Sequence, residues 1–112
     1  KRSDLTSNTY SLYLTKINSM NYYILTYHLV DSYLEERGKY REEHLGMAKK
    51  AQEAGEIIMA GALDNPADKA VFIFKSESEE TAKHFAENDP YYKNGLIKQY
   101  SVRKWNVVIG SE

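Results

Sequence analysis

The segment Ala70–Lys75, AVFIFK, constrains the fold of this chain more than any other. It is a short run of aromatic and β-branched residues, so it reads as a strand. Side chains alternate across a strand, so Val71 and Ile73 face one way and Phe72 and Phe74 the other. Both faces are apolar, and both therefore need a cover. Helices can cover one face, and a second sheet can cover the other.

The flanking segments supply the rest of this design. Tyr22–Val30, YYILTYHLV, reads as the first strand, and the polar stretch Asp31–Arg37 as a turn entering a helix. Tyr40–Ala54 has helical periodicity. Leu45, Ala48 and Ala51 share one line, and Tyr40, His44 and Met47 a neighbouring one. Gly55 stands where a helix C-terminal glycine is expected, and Lys49 and Lys50 suit the negative end of the dipole. Glu56–Ala62, EIIMAGA, is a second strand, and Leu63–Lys69 a turn. Ser76–Asn88 is a second helix, capped by Ser76 or Ser78, with Glu79 or Glu80 at its positive end. Asp89-Pro90 ends it, because the residue before proline leaves the α region. Tyr91–Gly95 then makes a turn, and Leu96–Ile109 is the last strand.

The order β-α-β-β-α-β predicts an α+β, ferredoxin-like domain with two helices on one face of a four-stranded antiparallel sheet. The opposite sheet face has no cover within one chain. Face-to-face pairing with a second copy, as a homodimer, is the simplest cover.

Composition narrows the partners. The 112 residues fit one domain, and the absence of cysteine excludes disulfides and thiolate metal sites. Fifteen basic against sixteen acidic residues leave a net charge of -1, which argues against nucleic-acid binding and gives no polybasic membrane patch. No apolar run approaches the roughly 20 residues of a membrane-spanning helix. The lack of cysteine fits a cytoplasmic setting. The ten tyrosines suit half-buried sheet surfaces and interfaces. Residues 1–19 differ from the rest. They are rich in Ser, Thr and Asn, and Asp4 is their only acid. They read as an N-terminal extension or a leader or tag remnant ahead of a domain at 20–112, with an organellar location if they are a leader. Tyr10, Leu12 and Leu14 alternate with polar neighbours and predict an extra strand there.

The sequence resembles the YCII-related family. The match is carried by Arg41-Glu42-Glu43-His44-Leu45 and by Gly55 to Ala62. It continues through the strand before Ser76, the helix after it, Asp89-Pro90-Tyr91 with Gly95, and Trp105 near the end. The resemblance implies a ferredoxin-like subunit that pairs into a dimeric α+β barrel. It also implies an active site built from His44 and Asp89. One relative is a dehydrochlorinase of a chlorinated hydroxyquinol-type aromatic, and the fold is shared with muconolactone isomerases. Residues 1–19 fall outside the pattern, and the Leu63–Lys69 loop is shorter than in many relatives.

A His-Asp pair has a definite chemical use. The carboxylate accepts from one imidazole nitrogen and fixes the tautomer, which leaves the other nitrogen free to take a proton. No serine or cysteine lies in a nucleophile context, so the expected chemistry is proton transfer without a cofactor. Elimination, isomerisation or hydrolysis of a small organic molecule all fit. Each residue also has a plainer reading. Asp89 before Pro90 can simply cap a helix, and His44 can be a packing histidine. Arg41, one turn before His44, can hold an anionic substrate group or form a surface ion pair. Tyr91 and Tyr92 can wall a cavity or pack at the sheet edge. His28 reads as structural and His84 as solvent-facing. A metal held by His44, Asp89 and His28 is the weaker option, since no dense ligand motif is present. The alternative to an enzyme is a non-catalytic dimeric module that binds a small ligand or regulates.

Overall fold

The computed structural model describes residues 19–110. Residues 1–18, with the strand expected around Tyr10–Leu14, lie outside the described residues. The elements are β1 (Asn21–Leu29), α1 (Tyr33–Glu36), a 3-10 turn (Arg37–Lys39), α2 (Arg41–Glu53), β2 (Ile57–Ala62), β3 (Lys69–Ser76), α3 (Glu80–Asn88), α4 (Pro90–Lys93) and β4 (Ile97–Trp105). The four strands form one sheet in the order β2-β3-β1-β4, with every neighbouring pair antiparallel. This is the expected split β-α-β arrangement.

Register divides the central strands into two faces. Leu25 pairs with Phe72 and Val102, and Tyr27 with Ala70 and Tyr100. Tyr23, Leu25, Tyr27, Ala70, Phe72 and Phe74 are buried beneath the helices. Ile24, Thr26, Val71 and Ile73 point to the opposite face, where they are only half-buried. The two apolar sides of AVFIFK are thus separated as expected.

The helices cover the first face through a few side chains. Ala82, Phe85 and Ala86 are the buried residues of α3, and the Phe85 ring lies 5.4 Å from Phe72 and 5.6 Å from Phe74. The N-cap position of this helix is held by Glu79 without a side-chain cap, not by a serine, although the backbone N–H of Glu80 donates to Ser78 Oγ at 3.2 Å one residue earlier. α2 ends in a Schellman turn. Glu56 N–H donates to Ala51 O and Gly55 N–H to Gln52 O, with Gly55 at φ 80°.

Four segments differ from the sequence reading. The Asp31–Arg37 stretch is not a plain turn: it coils into α1, anchored by the buried Tyr33. Tyr91–Gly95 is likewise helical at its start, because Pro90 occupies the first position of α4. In α2 the inward line runs through Tyr40, His44, Met47 and Ala51, while Leu45 is exposed. One residue along a helix turns the side chain by about 100°, so His44 facing the sheet carries Leu45 away from it. β4 stops at Trp105, which pairs with Tyr22 near the start of β1, so no partner strand remains for residues 106–109. Among the described residues, no helix is long and apolar enough to cross a membrane.

Candidate active site

The site forms where the break between α3 and α4 meets α2 over the centre of the sheet. Asp89 leaves the helical region with ψ 129°, which ends α3 and lets Pro90 start α4. Its side chain is fully buried. Such a carboxylate is tolerated only if its oxygens are hydrogen-bonded. Asp89 Oδ1 accepts from the backbone N–H of Tyr91 at 2.9 Å, the capping contact of α4. Asp89 Oδ2 accepts from the Tyr27 hydroxyl at 2.7 Å and meets His44 Nδ1 at 2.8 Å. The plain capping reading and the pairing with His44 are therefore both satisfied, one by each oxygen.

Donor arithmetic sets the tautomer of His44. A carboxylate only accepts, so Nδ1 must carry the proton it shares with Oδ2. In the neutral ring Nε2 is then the nitrogen left with a lone pair. The imidazole stacks on the Tyr91 ring, with centroids 4.1 Å apart and planes 16° from parallel. The Phe72 ring stands edge-on at 6.1 Å. The ring is thus held in plane by a stacked neighbour and in rotation by Asp89. A histidine fixed this way can take a proton at Nε2 and return it.

Tyr27 belongs to this network although sequence reasoning did not single it out. Burial pushes its phenol well above the ordinary value, and the Asp89 charge and hydrogen bond push it further. It therefore serves Asp89 as a neutral donor. Its signal was available in the alternation of β1, which places Tyr27 on the buried face with Tyr23 and Leu25. A buried tyrosine hydroxyl requires a partner.

A cavity of about 240 Å³ opens beside the dyad. Its walls include Tyr27, Tyr33, Phe72 and Tyr91, with His44 and Arg41 from α2. Arg41 has no ion pair among the described residues. Arg37 also lines the cavity, with its guanidinium 5.4 Å from the Tyr33 ring centre. Nothing in the sequence marked Arg37, because the helical turn that carries it was read as a loop. Tyr91 is buried and walls the cavity, whereas Tyr92 lies outside it and packs edge-on against Tyr100 at 5.7 Å.

The remaining histidines stand apart. His28 pairs with Lys69 and Gln99 and alternates with Tyr27, so it faces the open side of the sheet. The metal arrangement of His44, Asp89 and His28 is therefore corrected: the sheet lies between His28 and the other two. His84 is exposed, 3.9 Å from Glu80. No cluster of three or more His, Cys, Asp or Glu side chains able to hold a metal occurs among the described residues.

The four-stranded antiparallel sheet with its helices on one face defines a ferredoxin-like α+β fold. The profile of the YCII-related domain matches residues 20–106, and the chain belongs to that family. No curated protein matches the sequence. Among solved structures, the chain is similar to 5-chloro-2-hydroxyhydroquinone dehydrochlorinase from Burkholderia phenoliruptrix AC1100, in complex with 2,5-dihydroxybenzoquinone. The TM-score is 0.65 at 22% identity, covering 75% of this chain and 92% of that one. It is also similar to a NIPSNAP family protein from Agrobacterium tumefaciens strain C58. There the TM-score is 0.54 at 17% identity, covering 82% and 96% of the two chains.

Proposed function

We propose that the protein is a small cofactor-independent enzyme that moves a proton on a small organic molecule, with His44 as the acid/base and Asp89 as its orienting partner. The observation that carries this reading is the 2.8 Å contact between His44 Nδ1 and a fully buried Asp89 carboxylate beside a cavity. A buried carboxylate is costly to keep. Capping α4 occupies one of its oxygens and leaves the other for Tyr27 and His44. In this reading Nε2 faces the substrate, and Arg41 and Tyr91 contact it. Elimination, isomerisation and hydrolysis each need such a proton transfer. The subunit works as a homodimer, with the open sheet face around Ile24, Val71 and Ile73 covered by its partner.

The test begins with a turnover screen of small oxygenated ring compounds, including 2,5-dihydroxybenzoquinone and chlorinated hydroquinones. For a compound that is converted, His44→Ala lowers kcat about 100- to 10,000-fold, the usual weight of a general acid–base group, with an unchanged circular dichroism spectrum. Turnover that survives His44→Ala defeats the proposal. If compounds bind without conversion and His44→Ala binds them as well as the wild type, the cavity belongs to a binding module.

A further inference from the structure

Two cations stand at the cavity with no acid opposite them. Arg37 and Arg41 both line it, and neither side chain has an ion pair or a hydrogen bond among the described residues. Of the acids on the preceding turn, Glu36 accepts from the Ser32 hydroxyl instead. Arg37 is half-buried, and the Tyr33 ring beneath its guanidinium holds it at the cavity wall.

A second observation points the same way. Tyr91 is 1% exposed, and its hydroxyl is the buried side-chain polar atom without a hydrogen-bond partner among the described residues. Leaving such a group unmet is unfavourable, and each case calls for a reason. Tyr91 also lines the cavity. Burial pushes its phenol up while the charges of Arg41 and Arg37 pull it down, and the net shift is upward. The phenol is therefore a neutral donor lying in the field of both guanidiniums.

The rest of the wall is apolar, with Ala48, Ala60 and Phe72 among its residues. At about 240 Å³ the space is below the roughly 300 Å³ at which drug-sized sites begin, so it suits a compact molecule. Its polar features are the two cations, the Tyr91 hydroxyl and the His44 ring stacked on Tyr91.

We infer that this cavity selects small organic anions: a carboxylate or enolate oxygen on a compact apolar body, its charge met by Arg37 and Arg41 and its oxygen accepting from the Tyr91 hydroxyl. This deepens the proposed function and rests on the cavity beside His44 being the ligand site. It is read by binding, not by turnover. An anionic oxygen held at the arginine wall presents the rest of the molecule to His44, whose ring stacks on Tyr91 itself.

The experiment compares matched acids and amides by calorimetry: 4-hydroxybenzoate against 4-hydroxybenzamide, benzoate against benzamide, and crotonate against crotonamide. The acid of at least one pair binds about tenfold or more tighter than its amide, the weight of one charge-assisted hydrogen bond. The preference shrinks at about 0.5 M salt, since both cations reach solvent. Arg37→Gln/Arg41→Gln abolishes the preference, with the loss falling mainly on the acids. Tyr91→Phe weakens the acid several-fold without lowering the melting temperature, because the deleted hydroxyl had no partner. His44→Ala keeps the preference, so a failure of the proton-transfer reading appears as lost turnover with anion selection intact. Equal binding of every acid and amide overturns the inference. So does a preference that survives the double variant, or the absence of binding by all three acids at millimolar concentration.

Discussion

Asp89→Asn isolates the central contact of the site, because it keeps the shape of the side chain and removes one acceptor. Asp89 Oδ1 is committed to the Tyr91 N–H at 2.9 Å, so the new amide nitrogen takes the place of Oδ2. It then confronts two donors, the Tyr27 hydroxyl formerly at 2.7 Å and His44 Nδ1 formerly at 2.8 Å. Both can respond by accepting. The imidazole moves its proton to Nε2, and the hydroxyl rotates. The Tyr27 proton is then stranded in a fully buried position, at about 1–3 kcal/mol, while two charge-assisted bonds become neutral ones. The flipped amide fares no better, since it sets N–H against N–H at the start of α4 and forfeits a cap of about 1 kcal/mol. The sum is about 3 kcal/mol, or a fall of about 15 °C in the melting temperature of a domain this size. Urea titration at constant m measures the first quantity, and long-range 1H–15N correlation spectra report which imidazole nitrogen carries the proton. Wild type shows the Nδ1–H tautomer and Asp89→Asn the Nε2–H tautomer. A variant within about 0.5 kcal/mol of wild type that keeps the Nδ1–H form would refute the donor arithmetic.

Other consequences can be measured independently. The folded protein keeps Tyr27 protonated beyond its unfolded value of 10.0, so below that pH the contribution is constant. Above it the unfolded chain binds fewer protons than the folded one, and stability falls as pH rises. Urea midpoints followed from about pH 8 to pH 11 give a downward slope that Tyr27→Phe reduces, and equal slopes in the two proteins contradict this. Gly55→Ala places a side chain at φ 80° with nothing within 4 Å of its Cβ, so strain alone acts, costing about 1 kcal/mol by urea titration. Ile73→Lys puts a charge in the middle of the open sheet face, and light scattering after gel filtration should find a wild-type dimer and a monomeric variant. A wild-type monomer would remove the proposed interface.

The sheet was legible because its strands carry their own burial pattern. In AVFIFK and YYILTYHLV the alternation places Phe72, Phe74, Leu25 and Tyr27 on one side, and register then follows from the turns. The inward line of α2 was less clear, since Leu45 is more apolar than His44 and invites the wrong rotation of the helix. What turns His44 inward is a contact made 45 residues away, and local periodicity does not contain it. The motif from Asp89 to Tyr91 was visible, but its double use was not. Asx-Pro signals a turn equally well whether or not the second carboxylate oxygen has a further partner. The Arg37 turn was hidden for a related reason: its helical form depends on Tyr33 packing edge-on against Tyr91, 5.7 Å away across the fold.

The hydrogen bonds to Asp89 Oδ2 span 62 residues to Tyr27 and 45 to His44 in a chain of 112. Closing such loops is entropically unfavourable before anything is gained from them. The first strand, the first long helix and the break before the last strand must all be in place before the imidazole has its partner. No stretch of the chain shorter than residues 27–89 contains all three side chains of the contact. The imidazole tautomer is accordingly a local spectroscopic reporter of global assembly: a partly folded chain that retains helix and sheet by circular dichroism will still show His44 as a mixture of tautomers.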